Sequence, residues 1–235
     1  MLPTPLQPLA AWPQFVAWRV EMRPDEKTGI ETPTKVPYSP IHGYGASTRK
    51  PDGWGTYEQA EAFAATKGMA GVGFVFTEND PFFFLDVDKA FQEGQWSQLA
   101  QEFCARFAGA GIEVSQSGTG LHIIGSYSGA APAHRKKNIP LKIELYTRWR
   151  FVALTGAGAV GSVSADMSAP LSDLIAQYFD PATILDGEPA EWTDGPQEGW
   201  SGPEDDDALL ERALRSQSAA GAFGASVSFA DLWNA

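Results

Sequence analysis

Phe82-Phe83-Phe84-Leu85-Asp86-Val87-Asp88 sets the reading of this chain. Four large apolar residues in succession predict a buried strand, and two carboxylates follow where that strand emerges. Alternate residues of a strand share a face, so Asp86 and Asp88 point the same way while Val87 turns into the core. Two like charges held side by side repel, and a cation between them relieves the repulsion. Carboxylate oxygens suit Mg²⁺ or Mn²⁺, ions that also take phosphate oxygens. Asp-x-Asp alone is better read as a strand running into a polar turn with both aspartates solvated. The decision therefore rests on what accompanies it.

A chain of 235 residues holds one good-sized domain plus an appendage, and its 43% hydrophobic content is that of a globular protein. A single cysteine, Cys104, excludes an internal disulfide and a cysteine-built zinc site, which makes a reducing, cytoplasmic setting the economical expectation. The N-terminus lacks a basic segment followed by an apolar run, and no stretch approaches the ~20 apolar residues of a membrane span. The expectation is a soluble protein with no membrane partner. The net charge of −12 argues against a nucleic-acid partner only until it is located. Residues 1–180 carry 15 Lys and Arg against 18 Asp and Glu, whereas residues 181–235 carry 2 against 11. The acidity belongs mainly to the tail, and the body is near neutral with basic clusters.

Along the chain, strands are predicted over 14–20, 70–76 and 81–88, the last two joined as a hairpin by Thr77-Glu78-Asn79-Asp80. Residues 23–51, rich in Pro, Gly, Thr and Lys, read as a long loop. A helix follows Thr56 over 57–66, and another, over 97–108, places Leu99, Phe103 and Phe107 on one face. Further strands are expected over 112–115, 121–125, 141–146 and 150–155, then a helix over 171–179. Strands and helices mix without a regular βαβ repeat, which predicts an α+β fold. The domain is expected over 1–180, an acidic flexible linker over 181–207, and a short helical tail over 208–235.

Two further segments carry chemistry. Ser115-Gln116-Ser117-Gly118-Thr119-Gly120-Leu121-His122 is a small-residue loop entering a strand, where backbone N–H groups and hydroxyls can approach a phosphate. His122 faces away from Leu121 and Ile123, toward whatever the loop binds. In Lys142-Ile143-Glu144-Leu145-Tyr146, core-facing Ile143 and Leu145 leave Lys142, Glu144 and Tyr146 on the other face. Glu144 is then a third carboxylate, and three acids can clamp two divalent ions about 4 Å apart. Arg148 and Arg150 lie close by to neutralise a triphosphate. Each piece also has a plain structural reading: a turn with a half-buried histidine, or an amphipathic strand with a charged outer face.

Asp86-Val87-Asp88, Gly120-Leu121-His122 and Ile143-Glu144, in that order, resemble the three motifs of archaeo-eukaryotic primases, most closely the primase-polymerases of phages and plasmids. Lys35-Val36-Pro37, Gly53-Trp54-Gly55-Thr56 and Leu154-Thr155-Gly156 support the likeness, which covers residues 12–180. It implies an RRM-like mixed or antiparallel sheet packed by helices, with a second, N-terminal α/β unit. It implies template-directed nucleotidyl transfer in DNA replication, with dNTPs or NTPs as substrates and a single-stranded DNA template and primer as partners. Asp86, Asp88 and Glu144 would be the catalytic residues and hold two divalent ions, Mg²⁺ or Mn²⁺. Glu144 stands where many members have Asp, and the longer side chain still ligates a cation. His122 would contact the triphosphate, helped by Ser117, Thr119, Gly120, Arg148, Arg150 and Lys35. Arg135-Lys136-Lys137 and Arg49-Lys50 are the expected template contacts, with Trp54 and Trp149 as bases' stacking partners or as packing. The tail resembles the segment leading into a helicase region in larger members. Two other functions remain open: a non-catalytic single-stranded nucleic-acid or nucleotide-binding module, and a metal-dependent nuclease.

Overall fold

The computed structural model describes residues 1–24, 29–129 and 133–179. All lie in the first of the chain's two units, Met1–Gly187 and Glu188–Ala235. The linker and helical tail expected beyond residue 180 fall outside the described residues.

In chain order, a short 3₁₀ helix (Thr4–Ala11) precedes β1 (Phe15–Pro24) and β2 (Glu31–Tyr38). Next come α1 (Tyr57–Lys67), β3 (Gly71–Phe76), β4 (Phe82–Val87) and the small pair β5 (Phe91–Gln92) and β6 (Gln95–Trp96). The rest is α2 (Gln98–Arg106), β7 (Gly111–Val114), β8 (Leu121–Ser126), β9 (Lys137–Asn138), β10 (Ile143–Tyr146), β11 (Arg150–Ala153) and α3 (Ser168–Tyr178). Two antiparallel sheets result, a four-stranded one ordered β11-β3-β1-β2 and a five-stranded one ordered β7-β8-β4-β10-β9. The fold is α+β. Among the described residues no helix is long and apolar enough to cross a membrane.

β4 is apolar on both sides because both sides are covered. Phe83, Leu85 and Val87 pack with Phe103 and Phe107 and with Leu171, Leu174 and Ile175 of α3. Phe82 and Phe84 pack with Phe15, Phe74, Phe76 and Val152 of the four-stranded sheet. The helices begin where local chemistry places them. Thr56 and Gln59 form a reciprocal capping box ahead of α1, and Ser97 accepts from the Ala100 N–H ahead of α2. Such a cap is worth about 1 kcal/mol.

Two expectations are corrected. β3 and β4 are not a hairpin; they lie in different sheets. The connecting turn is fixed by buried Asp80, which accepts from Gln14 Nε2 at 2.8 Å, Thr77 N–H at 2.7 Å and Phe82 N–H at 3.0 Å. Its carboxyl sits above the usual range because burial outweighs those hydrogen bonds. A turn anchored in this way carries the chain from one sheet to the other. The second correction is the loop over 23–51, which contains β2, paired with β1 from Ala17↔Tyr38 to Pro24↔Glu31. Pro33 and Pro37 masked it, yet proline is tolerated on an edge strand, which β2 is.

Candidate active site

The register of the five-stranded sheet aligns five polar side chains in a single row. Glu113 pairs with His122, His122 with Asp86, Asp86 with Glu144, and Glu144 with Lys137. Residues directly opposite one another in antiparallel strands share a face, so all five project from the side that carries Phe84. Phe84 itself lies between the His122 ring, edge-on at 5.1 Å, and the Tyr146 ring, stacked at 6.5 Å.

Beside this row is a cleft of about 350 Å³ lined by Pro33, Thr34 and Lys35 of β2, Phe84, Asp86, His122, and Arg150 through Ala153 of β11. The volume lies within the roughly 300–1,000 Å³ common for small-molecule sites. Clefts of about 420 and 410 Å³ open beside Trp12 and Tyr127 and beside Trp96 and Cys104, but neither is lined by both a carboxylate and a cation. Polarity rather than size selects the first. It brings Lys35, Asp86, His122 and Arg150 together from four strands in two sheets.

Asp86 has a buried Oδ1 without a hydrogen-bond partner, and Arg150, across the cleft, has a buried Nε–H in the same condition. Burial, the largest cause, outweighs the pull of His122 and Arg150, and with added repulsion from Asp88 and Glu144 pushes Asp86 up to about 6. Glu144 is satisfied: Lys137 Nζ is 2.6 Å from Oε1, while the Tyr146 hydroxyl donates to Oε2 at 2.8 Å and Arg150 Nη2 at 3.2 Å. Burial raises the Glu144 carboxyl, but these donors more than compensate and hold it below the usual range. Asp88 is exposed just past the end of β4, and its N–H donates to the Lys142 carbonyl at 2.9 Å. Lys142 precedes β10 with φ of 55°, so the strand alternation expected to align it with Glu144 does not reach it.

A divalent cation suits this donor set in part. The carboxylates of Asp86 and Glu144 are cross-strand neighbours made of hard oxygen, and Asp86 Oδ1 lacks a partner. Among the described residues, however, no three His, Cys, Asp or Glu side chains converge as a ready metal cluster. Both Glu144 oxygens already have donors, Lys137 on Oε1 and Tyr146 and Arg150 on Oε2.

The small-residue loop is placed differently from expectation. Ser117, Thr119 and Gly120 do not line the cleft. Their polar groups turn inward: Gly118 N–H to the Ser115 carbonyl, Thr119 N–H to Ser117 Oγ, Gly120 N–H to Ser115 Oγ, and Ser117 to Thr119 through their hydroxyls at 3.0 Å. The loop is a self-closed turn between β7 and β8 rather than an open cradle of donors. The basic residues divide into groups. Arg49 and Arg148 both lie over the Trp149 ring, their guanidinium carbons 4.6 and 4.4 Å from its centroid, and Arg148 lies 3.6 Å from Glu78. Lys136 and Arg150 lie over Tyr146 at 6.0 and 4.5 Å. Lys136 is lowered by burial and by the charges of Arg148, Arg49 and Arg150. Lys137 belongs to Glu144, Lys50 is exposed, and Arg135 is not among the cleft residues. Trp54 is buried against Val16 and Val75, which makes it packing.

Sequence reasoning missed Glu113. It is 1% exposed, and its Oε1 lies 2.8 Å from His122 Nδ1. The available signal was an acid between Ile112 and Val114 in a short strand, at a position facing the same way as His122.

No family model matches the chain. It is similar to a protein named DNA Primase-polymerase from Nitratiruptor phage NrS-1, with 29% identity over 227 residues, covering 83% of this chain and 29% of that protein. The chain therefore spans less than a third of the length of this curated relative. Similarity of that extent supports a relationship to a phage primase-polymerase.

Proposed function

We propose that this chain carries the nucleotidyl-transfer centre of a template-dependent DNA primase-polymerase, built on an archaeo-eukaryotic primase core with an RRM-like sheet. The observation that carries the reading is the pair of buried, unpartnered atoms in one cleft, an acceptor on Asp86 and a donor on Arg150, beside Glu144 and His122. A ligand that satisfies both offers a donor or cation to Asp86 and an acceptor to Arg150, which a metal-bound triphosphate does with opposite charges. The named relative points to the same chemistry.

Arg150 and Lys35 would hold the phosphates from β11 and β2, Phe84 and Val152 give the cleft an apolar wall, and His122 contacts the triphosphate from β8. Two divalent ions, Mg²⁺ or Mn²⁺, held by Asp86, Asp88 and Glu144, would supply charge neutralisation and activation of the attacking hydroxyl. Lys137, bonded to Glu144 Oε1, neutralises that carboxylate in the absence of an ion. Arg49, Lys136, Arg148 and Trp149 would meet the template. The substrate classes are single-stranded DNA with a primer and dNTPs or NTPs. The helicase connection expected from residues 208–235 belongs to this proposal and rests on the tail's sequence alone.

The test is extension of a labelled primer on a single-stranded template with Mg²⁺ and with Mn²⁺, native chain against a folded Asp86→Ala/Asp88→Ala variant. A dNTP-dependent ladder from the native chain and none from the variant is expected. Equal, metal-independent template binding by both with no extension would refute catalysis and identify a binding module. Template shortening without pyrophosphate release would identify a nuclease.

A further inference from the structure

Glu113 is a buried carboxylate with no part in the nucleotidyl-transfer scheme above. Four donor contacts converge on its two oxygens. His122 Nδ1 is 2.8 Å from Oε1, Thr155 N–H reaches both oxygens at 3.2 and 3.1 Å, and Gly156 N–H reaches Oε2 at 2.7 Å. The Thr155 hydroxyl adds a bond of 2.6 Å to the Val114 carbonyl next door. Gly156 has φ of 66°, and a Cβ there would lie 2.6 Å from Pro3 Cγ, so the turn after β11 is shaped to bring its N–H groups onto Glu113. Glu113 thus ties β11, which forms one wall of the cleft, to β8, which carries His122.

The hydrogen-bond count assigns the proton. Both Glu113 oxygens already accept from main-chain N–H groups, so in the contact with His122 the hydrogen sits on the ring nitrogen. With Nδ1 occupied, Nε2 is the nitrogen left for a ligand, and His122 lines the cleft. Phe84, edge-on to the imidazole at 5.1 Å, limits its rotation from the other side.

We infer that Glu113 is a positioning residue: it fixes His122 in the Nδ1–H form and aims Nε2 at the nucleoside triphosphate in the cleft. The identity of that ligand rests on the polymerase reading; the orientation of the ring does not. A carboxylate that orients an imidazole in this way is the arrangement by which proteins hold catalytic and ligand-binding histidines.

Glu113→Gln is the first variant, since glutamine keeps an oxygen at Oε2 for the Gly156 N–H and the 3.1 Å Thr155 contact, and replaces Oε1, which faces His122 and the longer Thr155 contact, with an NH2. The first readout is the ¹⁵N–¹H spectrum of ring-labelled protein, recorded without nucleotide or metal at a pH where the imidazole is neutral. Only His42, His122 and His134 contribute signals, so His122→Asn identifies the resonance. The Nδ1–H pattern is expected in the native chain and its loss in Glu113→Gln. The second readout is dNTP affinity in a double-mutant cycle. Glu113→Gln should weaken binding about tenfold, the scale on which a partner that orients a histidine acts. In a His122→Asn background the same change should weaken binding less than about twofold, because the effect travels through the ring. In extension assays the loss should fall on KM for dNTP rather than on kcat. An Nε2–H pattern in the native chain, or equal weakening in both backgrounds, would overturn the inference and leave Glu113 as a staple of the turn. A native chain that binds no dNTP would overturn the polymerase reading, while the spectrum would still decide where His122 points.

Discussion

At Asp86, the proposed ion-holding role and stability pull in opposite directions. Its carboxyl is raised from 3.8 to about 6, chiefly by burial. Between those values the folded chain binds more protons than the unfolded chain, so this group's contribution to stability falls as pH rises. The favourable protonated state is fully present below about pH 4 and lost above about pH 6. Asp86→Asn removes the ionisation at nearly constant shape. In metal-free buffer at pH 7.5 the variant should be more stable than the native chain by about 1–3 kcal/mol, with the gap closing by pH 4. Urea unfolding in EDTA at the two pH values measures it. Mn²⁺ should then raise the melting temperature of the native chain and not of the variant, because an ion that binds only the folded state stabilises it by mass action. A variant less stable than native at pH 7.5 would show that burial of charge does not govern this position. The unpartnered Oδ1 is the same tension seen as geometry: a group left unsatisfied for a ligand.

The elements that hold the site differ in how openly the sequence announces them. β4 was readable because its apolar run and carboxylates are contiguous, as were α1 through its Thr56 cap and α2 through the four-residue spacing of Leu99, Phe103 and Phe107, Ser97 proving to be its cap rather than its first residue. β2 was not, since edge position lets it keep prolines that would disqualify a central strand. The β3–β4 connection misled because Asp80 has turn chemistry in sequence but acts as a buried anchor between sheets. Candidate residues were readable one by one, whereas the row from Glu113 to Lys137 depends on pairing between strands distant in sequence. Gly73 shows such a dependence directly. It pairs with Ala153, and a Cβ there would stand 2.2 Å from the Phe151 ring and 2.5 Å from the Val152 carbonyl. Gly73→Ala must push β11 away, and with it Arg150 and one wall of the cleft. A loss of about 2–3 kcal/mol is expected from overpacking, together with weaker dNTP binding. Gly45→Ala, whose Cβ would meet nothing nearer than the Pro37 carbonyl at 4.0 Å, should stay within about 0.5 kcal/mol of native. Thermal melts of the two variants make the comparison, and equal melting temperatures would mean that β11 yields without cost.

Across the whole molecule, the net charge of −12 conceals a division of labour. The acids concentrate beyond residue 180, while Arg49, Lys136, Arg148 and Arg150 gather around Tyr146 and Trp149 beside the cleft. The depression of Lys136 by burial and by three neighbouring guanidinium groups shows that this cluster repels itself. A polyanion laid across it relieves the repulsion and releases its own counterions, so template affinity should fall steeply with salt. Arg148 is the member to test, since its exposed contact with Glu78 at 3.6 Å contributes little to the fold. Arg148→Gln should reduce the slope of log K against log salt by about 0.7, the share of one phosphate contact on a single strand. Trp149→Ala should behave differently: base stacking is worth about 1–3 kcal/mol and carries little salt dependence, so affinity drops while the slope holds. Anisotropy titrations of a labelled oligonucleotide at several salt concentrations separate the two. An unchanged slope in Arg148→Gln would place the template on another face of the molecule. Loss of slope in Trp149→Ala would mean that the indole acts by ordering Arg49 and Arg148, which lie over it, rather than by touching bases.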